Sequence, residues 1–332
     1  MSRNICITAV EGNTGFLIAE LLLTDENFSK EFSSITGLTM NAEHPRCKDL
    51  ATLGAKIISY QPGRVRDVSS TLRHTNADTI CLVPPAHVDK VDITGELIEA
   101  TKKAGVRNAL LLSSAGCDLA ETSKQPGLRE FVDLESRFLA CKCEPETAGE
   151  SLVIIRAGFY AENLLRYAPK AQEDGILPLP IGRRHKFAPV SLGDVALLAA
   201  HVLIGKGPHG FSDQHRGQLM TLTGPMLLDG EEIVRLAGEA LGVDLKFEDI
   251  SEQEAHRVLR TNGGENAEVQ FLLDYFSLVR EGKTNYISTT AFHDVTGDHP
   301  QEAPEFFKNY SAEFMPKKGA GNKRRKVDGS RT

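Results

Sequence analysis

The 332-residue chain lacks the signals of several large protein classes. It has no excess of positive charge: 38 Lys and Arg stand against 45 Asp and Glu, for a net charge of −7. An acidic body repels phosphate backbones, so a generally basic nucleic-acid-binding surface is excluded and direct nucleic-acid binding is not expected. No apolar stretch approaches the roughly 20 residues that span a bilayer. The start, Met1-Ser2-Arg3-Asn4, leads straight into a short apolar run with no small-residue cleavage site, which is not the pattern of a secretory signal. The six cysteines do not form a disulfide scaffold. Cys6 and Cys81 lie in strand-like apolar runs, and Cys141 and Cys143 are one residue too close for a CxxC pair. Reduced thiols in an intracellular protein are therefore expected. The histidines show no metal-ligand spacing, so no metal is expected. A GxSxG elbow is absent, and Gly205-Lys206-Gly207 does not make a P-loop. Composition excludes collagen-like and disordered chains: 41% of residues are hydrophobic and 25% charged, as in ordinary globular proteins.

What is present is a regular alternation. Apolar strand patterns at 5–10, 34–40, 56–59, 79–83, 109–113 and 152–156 are separated by helical patterns at 14–23, 43–53, 67–74, 88–104 and 127–141. Apolar strands joined by helices imply parallel pairing with helices on both faces, hence an α/β fold with a Rossmann-like, doubly wound sheet. After residue 157 the character changes. Residues 175–180 and 182–185 look loop-like, short strands are expected at 218–223 and 245–249, and helices at 192–204, 229–241, 251–259, 267–281 and 303–314. The chain thus divides into a dinucleotide-binding part (1–157, with later segments returning to it), a smaller α/β lid (158–316) and a tail (317–332). The tail holds seven basic residues and one acid. It has disordered composition and resembles a nuclear-import signal, though a solvated tail fits as well. A cytoplasmic location is expected, with a nuclear one open through this tail.

The turn between the first strand and first helix, Thr8-Ala9-Val10-Glu11-Gly12-Asn13-Thr14-Gly15, has the position and partial glycine pattern of a phosphate loop. Such a turn aims backbone N–H groups and a helix N-terminus at an anion. Gly12 would admit a pyrophosphate and Gly15 close helix–strand packing. Ala9 stands where the full fingerprint has glycine, and Glu11 adds a negative charge. The second strand ends in Met40-Asn41, with no carboxylate for a ribose hydroxyl. Arg46 is a nearby cation. This slightly favours NADP(H) over NAD(H).

The ordered segments 7–15, 41–58, 81–85, 105–116, 152–165 and 187–203 together resemble the NmrA-like group of atypical short-chain dehydrogenases. TLTGP (221–225) and VTGDHP (295–300) are similar to its ergot-alkaloid branch, the festuclavine and agroclavine reductases. The resemblance implies an NAD(P) cofactor across the strand ends. Thr8, Gly12, Asn13, Thr14, Gly15, Met40, Asn41 and Arg46 would hold its adenosine half. Pro84 and Pro85 would flank the ribose, and Ser113 and Ser114 would lie near the nicotinamide. Gly158, Phe159 and Tyr160 would wall the ring, with Asn163 facing the substrate. Strand-end turns and core packing explain Ser113, Ser114, Phe159 and Tyr160 equally well.

The usual Tyr-x-x-x-Lys pair is missing. The fifth helical segment contains no Tyr, and the position four residues before Glu135, where many relatives keep a lysine, is Phe131. Two functions stay open. One is a reductase of an activated acceptor, an iminium ion or electrophilic alkene, with Tyr160 or Ser114 as donor. The other is a non-enzymatic redox sensor that binds NAD(P) and acts through a protein partner. The partner is accordingly a small-molecule substrate or a regulatory protein; oligomeric state is not legible.

Overall fold

In the computed structural model, residues 3–140 and 151–315 are described. Cys141, Cys143 and the basic tail lie outside them. The first half runs β1 (Arg3–Thr8), α1 (Asn13–Thr24), β2 (Phe32–Thr39), α2 (Pro45–Thr52), β3 (Lys56–Ser59), α3 (Val65–His74), β4 (Thr79–Leu82), α4 (Lys90–Ala104), β5 (Asn108–Ser114), α5 (Pro126–Ala140) and β6 (Ser151–Ala157). Then follow a 3-10 turn (Ala161–Tyr167), α6 (Ala168–Asp174), β7 (Ile176–Leu179), α7 (Leu192–Ile204), β8 (Leu219–Leu222), α8 (Gly230–Leu241) and β9 (Lys246–Asp249). Helices α9 (Glu252–Thr261), α10 (Asn266–Arg280), α11 (Ala291–Thr296), α12 (Ala303–Asn309) and α13 (Ser311–Phe314) complete the fold.

Seven strands form one sheet in the order β3-β2-β1-β4-β5-β6-β8. Every pair is parallel. This is the doubly wound, Rossmann-like arrangement, with the strand order reversing between β1 and β4. The apolar runs of β1, β4 and β5 are buried on both faces, as strands covered by helices on each side must be. One core, holding Ile5, Ile7, Ile18 and Leu198, lies under α1 and α7. Another, holding Cys6, Ile80, Leu97 and Leu111, lies under α3 and α4. A third, built around Tyr167, Phe276 and Phe307, joins Leu128 of α5 to the C-terminal helices. Cys6, Cys47, Cys81 and Cys117 are free and buried. Among the described residues, no helix is long and apolar enough to cross a membrane.

Several expectations change in detail. The stretch 175–180 contains a strand, β7, which pairs in parallel with β9. Its prolines suggest a loop, but β7 has a single partner, so the N–H missing at Pro178 need not break a ladder. The expected helix over 303–314 divides at Tyr310. The 3-10 turn, α6 and α11 are short elements that hydrophobic periodicity does not resolve.

Thr8 is held inside the sheet. The resemblance implies that it contacts the cofactor, but its side chain is fully buried. Its Oγ1 donates to the carbonyl of Val83 at 3.2 Å and accepts from Val83 N–H at 2.8 Å. It thereby ties the end of β1 to the chain leaving β4. Thr8→Val keeps the shape and leaves a buried N–H and C=O unpaired, so it should destabilise by about 1–3 kcal/mol. Urea unfolding against the wild type checks this.

Candidate functional site: a cleft at the strand ends

Strands β1, β4, β5 and β6 deliver their following loops to one cavity of about 230 Å³ at the carboxyl edge of the sheet. At one end is the β1–α1 turn. Gly12 N–H donates to Ala9 C=O at 3.0 Å, closing the turn before α1. A side chain on Gly15 would bring its Cβ to 2.5 Å from the Ala9 carbonyl oxygen, so only glycine lets α1 pack this close to β1. Ala9 itself has φ +52°. This left-handed conformation explains the glycine of the usual pattern, and alanine holds it at a cost of about 1–2 kcal/mol. Helix α1 has no side-chain cap and no acid in its first turn, so its leading N–H groups face the cavity end. The residues fit a pyrophosphate by backbone donors and helix dipole.

Of the residues named from the sequence, Gly12, Asn13, Thr14, Gly15, Pro84, Pro85, Ser113, Ser114, Gly158, Tyr160 and Asn163 line this one cavity. Met40, Asn41 and Arg46 do not. The Met40 N–H donates to the Glu11 carboxylate at 3.1 Å, and Asn41 closes a turn into α2. Arg46 lines a neighbouring cavity with Asn13, Phe16 and Tyr160. Its guanidinium donates to Asn13 Oδ1 and the Glu11 carbonyl, and lies 5.8 Å from the Phe16 ring centroid. Glu11 Oε2 is buried with no partner.

Phe159 points away from the cavity. It is buried, its ring 5.3 Å from Phe187 and 5.2 Å from Phe276, and it packs the C-terminal core instead of walling the cavity. Alternation along the extended chain sends neighbouring side chains to opposite sides, so Tyr160 faces the cavity and Phe159 cannot. Tyr160 lines the cavity together with Thr14. Burial pushes its pKa above the ordinary tyrosine value, making it a weaker acid.

Behind Ser113 lies a buried ionic network that the sequence does not reveal. Ser113 Oγ donates to Glu135 Oε1 at 2.5 Å. The same carboxylate takes two hydrogen bonds from Arg156, at 2.8 and 2.7 Å, and Arg156 also pairs with Asp118. With its proton committed to Glu135, Ser113 offers the cavity an acceptor only. Glu135 and Arg156 belong to different elements, and no sequence spacing links them.

The opposite end of the cavity is formed by Lys90 of α4, Phe131 of α5, and Ala267, Glu268, Phe271 and Leu272 of α10. Sequence reasoning passed over Lys90 and His87. The signal for Lys90 is present: it continues the buried stripe 93, 94, 97, 98 and 101 of α4, where a solvated lysine does not belong. Among the described residues, no group of three His, Cys, Asp or Glu is placed to hold a metal ion.

No family model matches the chain. The NAD(P)H azoreductase of Xenophilus azovorans is 24% identical over 305 residues, covering 92% of this chain and 98% of that protein. The triphenylmethane reductase of Citrobacter sp., solved with NADP(H), superposes with a TM-score of 0.75 at 15% identity, over 92% of this chain and 99% of that one. The NADPH-dependent quinone oxidoreductase of Escherichia coli, solved with NADPH, gives 0.74 at 20% identity with the same coverage.

Removing Glu135 leaves the nearly buried Arg156 charge with only the half-exposed Asp118 as partner. Glu135→Ala should therefore destabilise by about 3 kcal/mol or more, and the double variant Glu135→Leu/Arg156→Met should recover part of that loss. Denaturant midpoints of the three proteins check this. The parallel sheet, its strand order and these superpositions together show that the chain has the Rossmann-like α/β fold of these solved reductases.

Proposed function

We propose that the protein is an NADP(H)-dependent reductase of a conjugated, electron-poor small molecule. The observation that carries this reading is a single cavity joining an uncapped helix N-terminus to an aromatic wall built by α5 and α10. The first end suits a pyrophosphate and the second a flat, apolar ligand. The likeness to proteins named for azo, quinone and triphenylmethane reduction supports the same class, since each of those acceptors is a conjugated electrophile. An iminium ion or electrophilic alkene belongs to it chemically. The segments similar to the ergot-alkaloid reductases, 221–225 and 295–300, lie off the cavity wall and do not define the acceptor.

The bound cofactor would supply a hydride. The chain's own residues do the rest. Gly12 to Gly15 bind the pyrophosphate through backbone donors. Pro84, Pro85 and Gly158 shape the walls without competing polar groups. Ser113 accepts a hydrogen bond, from an amide N–H for instance, and Glu135 fixes its orientation. Ser114 and Asn163 remain as donors toward the acceptor. Tyr160, made a weaker acid by burial, closes the phosphate end in preference to acting as an acid.

Arg46 supports NADP(H) over NAD(H): it places a guanidinium beside Asn13 and Glu11, where a 2′-phosphate would need a partner. Glu11 opposes that phosphate and would suit a bare ribose hydroxyl, so the two residues set the preference between them. Calorimetric titration with NADPH, NADP⁺, NADH and NAD⁺ tests the proposal. Tighter binding of the reduced forms, followed by turnover on iminium, enone, quinone or azo compounds, is the expected result. Arg46→Ala should weaken NADPH about tenfold while leaving NADH nearly unchanged, as loss of one charge-assisted contact predicts. Tight binding of both redox forms with no turnover on any acceptor would favour the redox sensor. No binding by wild type, equal to a Gly12→Asp control, would overturn both.

A further inference from the structure

Helix α4 turns a lysine into the aromatic end of the cavity, beside the phenylalanines of α5 and α10. Lys90 is buried, and its Nζ lies 4.3 Å from the Phe131 ring centroid and 6.0 Å from that of Phe271. All three residues line the cavity. The ammonium donates to the Gly127 carbonyl at 2.8 Å and pairs with Glu130 at 3.0 Å. Glu130 does not line the cavity, and its side chain is 39% exposed against 10% for Lys90. Lysine is costly to bury when an alternative exists, yet α4 turns this one inward beside two aromatic rings.

We propose that Lys90 is the cationic group of the acceptor end, stabilising the negative charge that develops on a heteroatom of an aromatic or conjugated ligand, and supplying its proton. This rests on the reductase reading. Hydride addition breaks a C–H bond of the reduced nicotinamide and carries both electrons to the acceptor, leaving the cofactor oxidised. On a neutral acceptor such as an enone, a quinone or an azo compound, the oxygen or nitrogen then holds the new lone pair and the negative charge. An N–H bond of Lys90 breaks as that atom takes the proton, and the neutral amine is reprotonated from water through Glu130. The ligand heteroatom would replace Glu130 as partner of the ammonium, so the buried charge stays paired, and the Gly127 carbonyl keeps the amine in place. The ionisable groups facing the ammonium are Glu130 on α5 and Asp274 on α10, with His87 and Glu268 further along the cavity wall. Burial lowers the pKa of Lys90, and Glu130 and Asp274 partly restore it. That makes it a better proton donor than a surface lysine.

The test uses 4-nitrophenol, a flat aromatic whose absorbance reports its own ionisation, bound to full-length protein with and without NADP⁺. Wild type should hold the phenolate form at a pH about one unit lower than in free solution. Lys90→Met should abolish this displacement, and Lys90→Arg should retain it. Persistence of the displacement in Lys90→Met, no displacement in wild type, or no binding of the probe to wild type would each overturn the proposal. NADPH affinity, measured on the same proteins, should be unchanged by Lys90→Met. If NADPH fails to bind wild type, the cofactor reading falls while the probe still judges Lys90. Circular dichroism and the unfolding midpoint of Lys90→Met separate a lost charge from a lost fold, and Lys90→Arg carries the decision if Lys90→Met does not fold.

Discussion

The cavity depends on one buried carboxylate. Asp274, on α10, accepts hydrogen bonds from the backbone N–H groups of Gly127 and Leu128 at 2.7 and 3.3 Å. These are leading donors of α5, capped from a distant part of the sequence. Helix α10 thus caps α5, and the negative charge sits at the positive end of the dipole. Burial raises the Asp274 pKa, while the bonds from Gln270, Gly127 and Leu128 lower it. The same contact fixes how far Phe271, one helical turn before Asp274, stands from Phe131, and their rings meet edge-on at 5.8 Å. The aromatic end of the cavity is set by this cap.

The two ends of the cavity are held by different physics. At the phosphate-loop end, backbone geometry dominates: Gly15 permits close approach, Ala9 takes a left-handed turn, and Thr8 ties the exits of β1 and β4 together. At the acceptor end, side-chain charge dominates. Lys90, Glu130 and Asp274 form a mixed cluster around apolar rings, where charge is costly unless paired. Between them the Glu135–Arg156 pair orients Ser113 from behind the sheet. A backbone-built anion site tolerates substitution of many side chains, so the loop keeps its shape despite Ala9 and Glu11. A charge-built site does not, which is why Lys90 offers the sharper test.

Hydrophobic alternation carried the sheet. The runs at 5–10, 79–83 and 109–113 are apolar on both faces, which only a covered parallel sheet requires, and the turn at 8–15 was legible from its place after the first strand. Side-chain direction within 158–163 was not legible: Phe159 and Tyr160 are adjacent and alike, and only the path of the chain sends one to the core and one to the cavity. Prolines masked β7, because a proline's missing N–H matters only once the number of strand partners is known.

Local sequence therefore determined most of the strands and helices of the main sheet, where the glycine-bearing turn between β1 and α1 lies, and that the standard Tyr/Lys pair is missing, since each follows from neighbours within one element. Tertiary structure alone decided what faces the cavity. Lys90 and Phe131 are 41 positions apart, and Asp274 and Gly127 are 147 apart. Contacts at such separations depend on how α4, α5 and α10 cross, and that is settled by burial of whole helix faces, not by any residue's own preference.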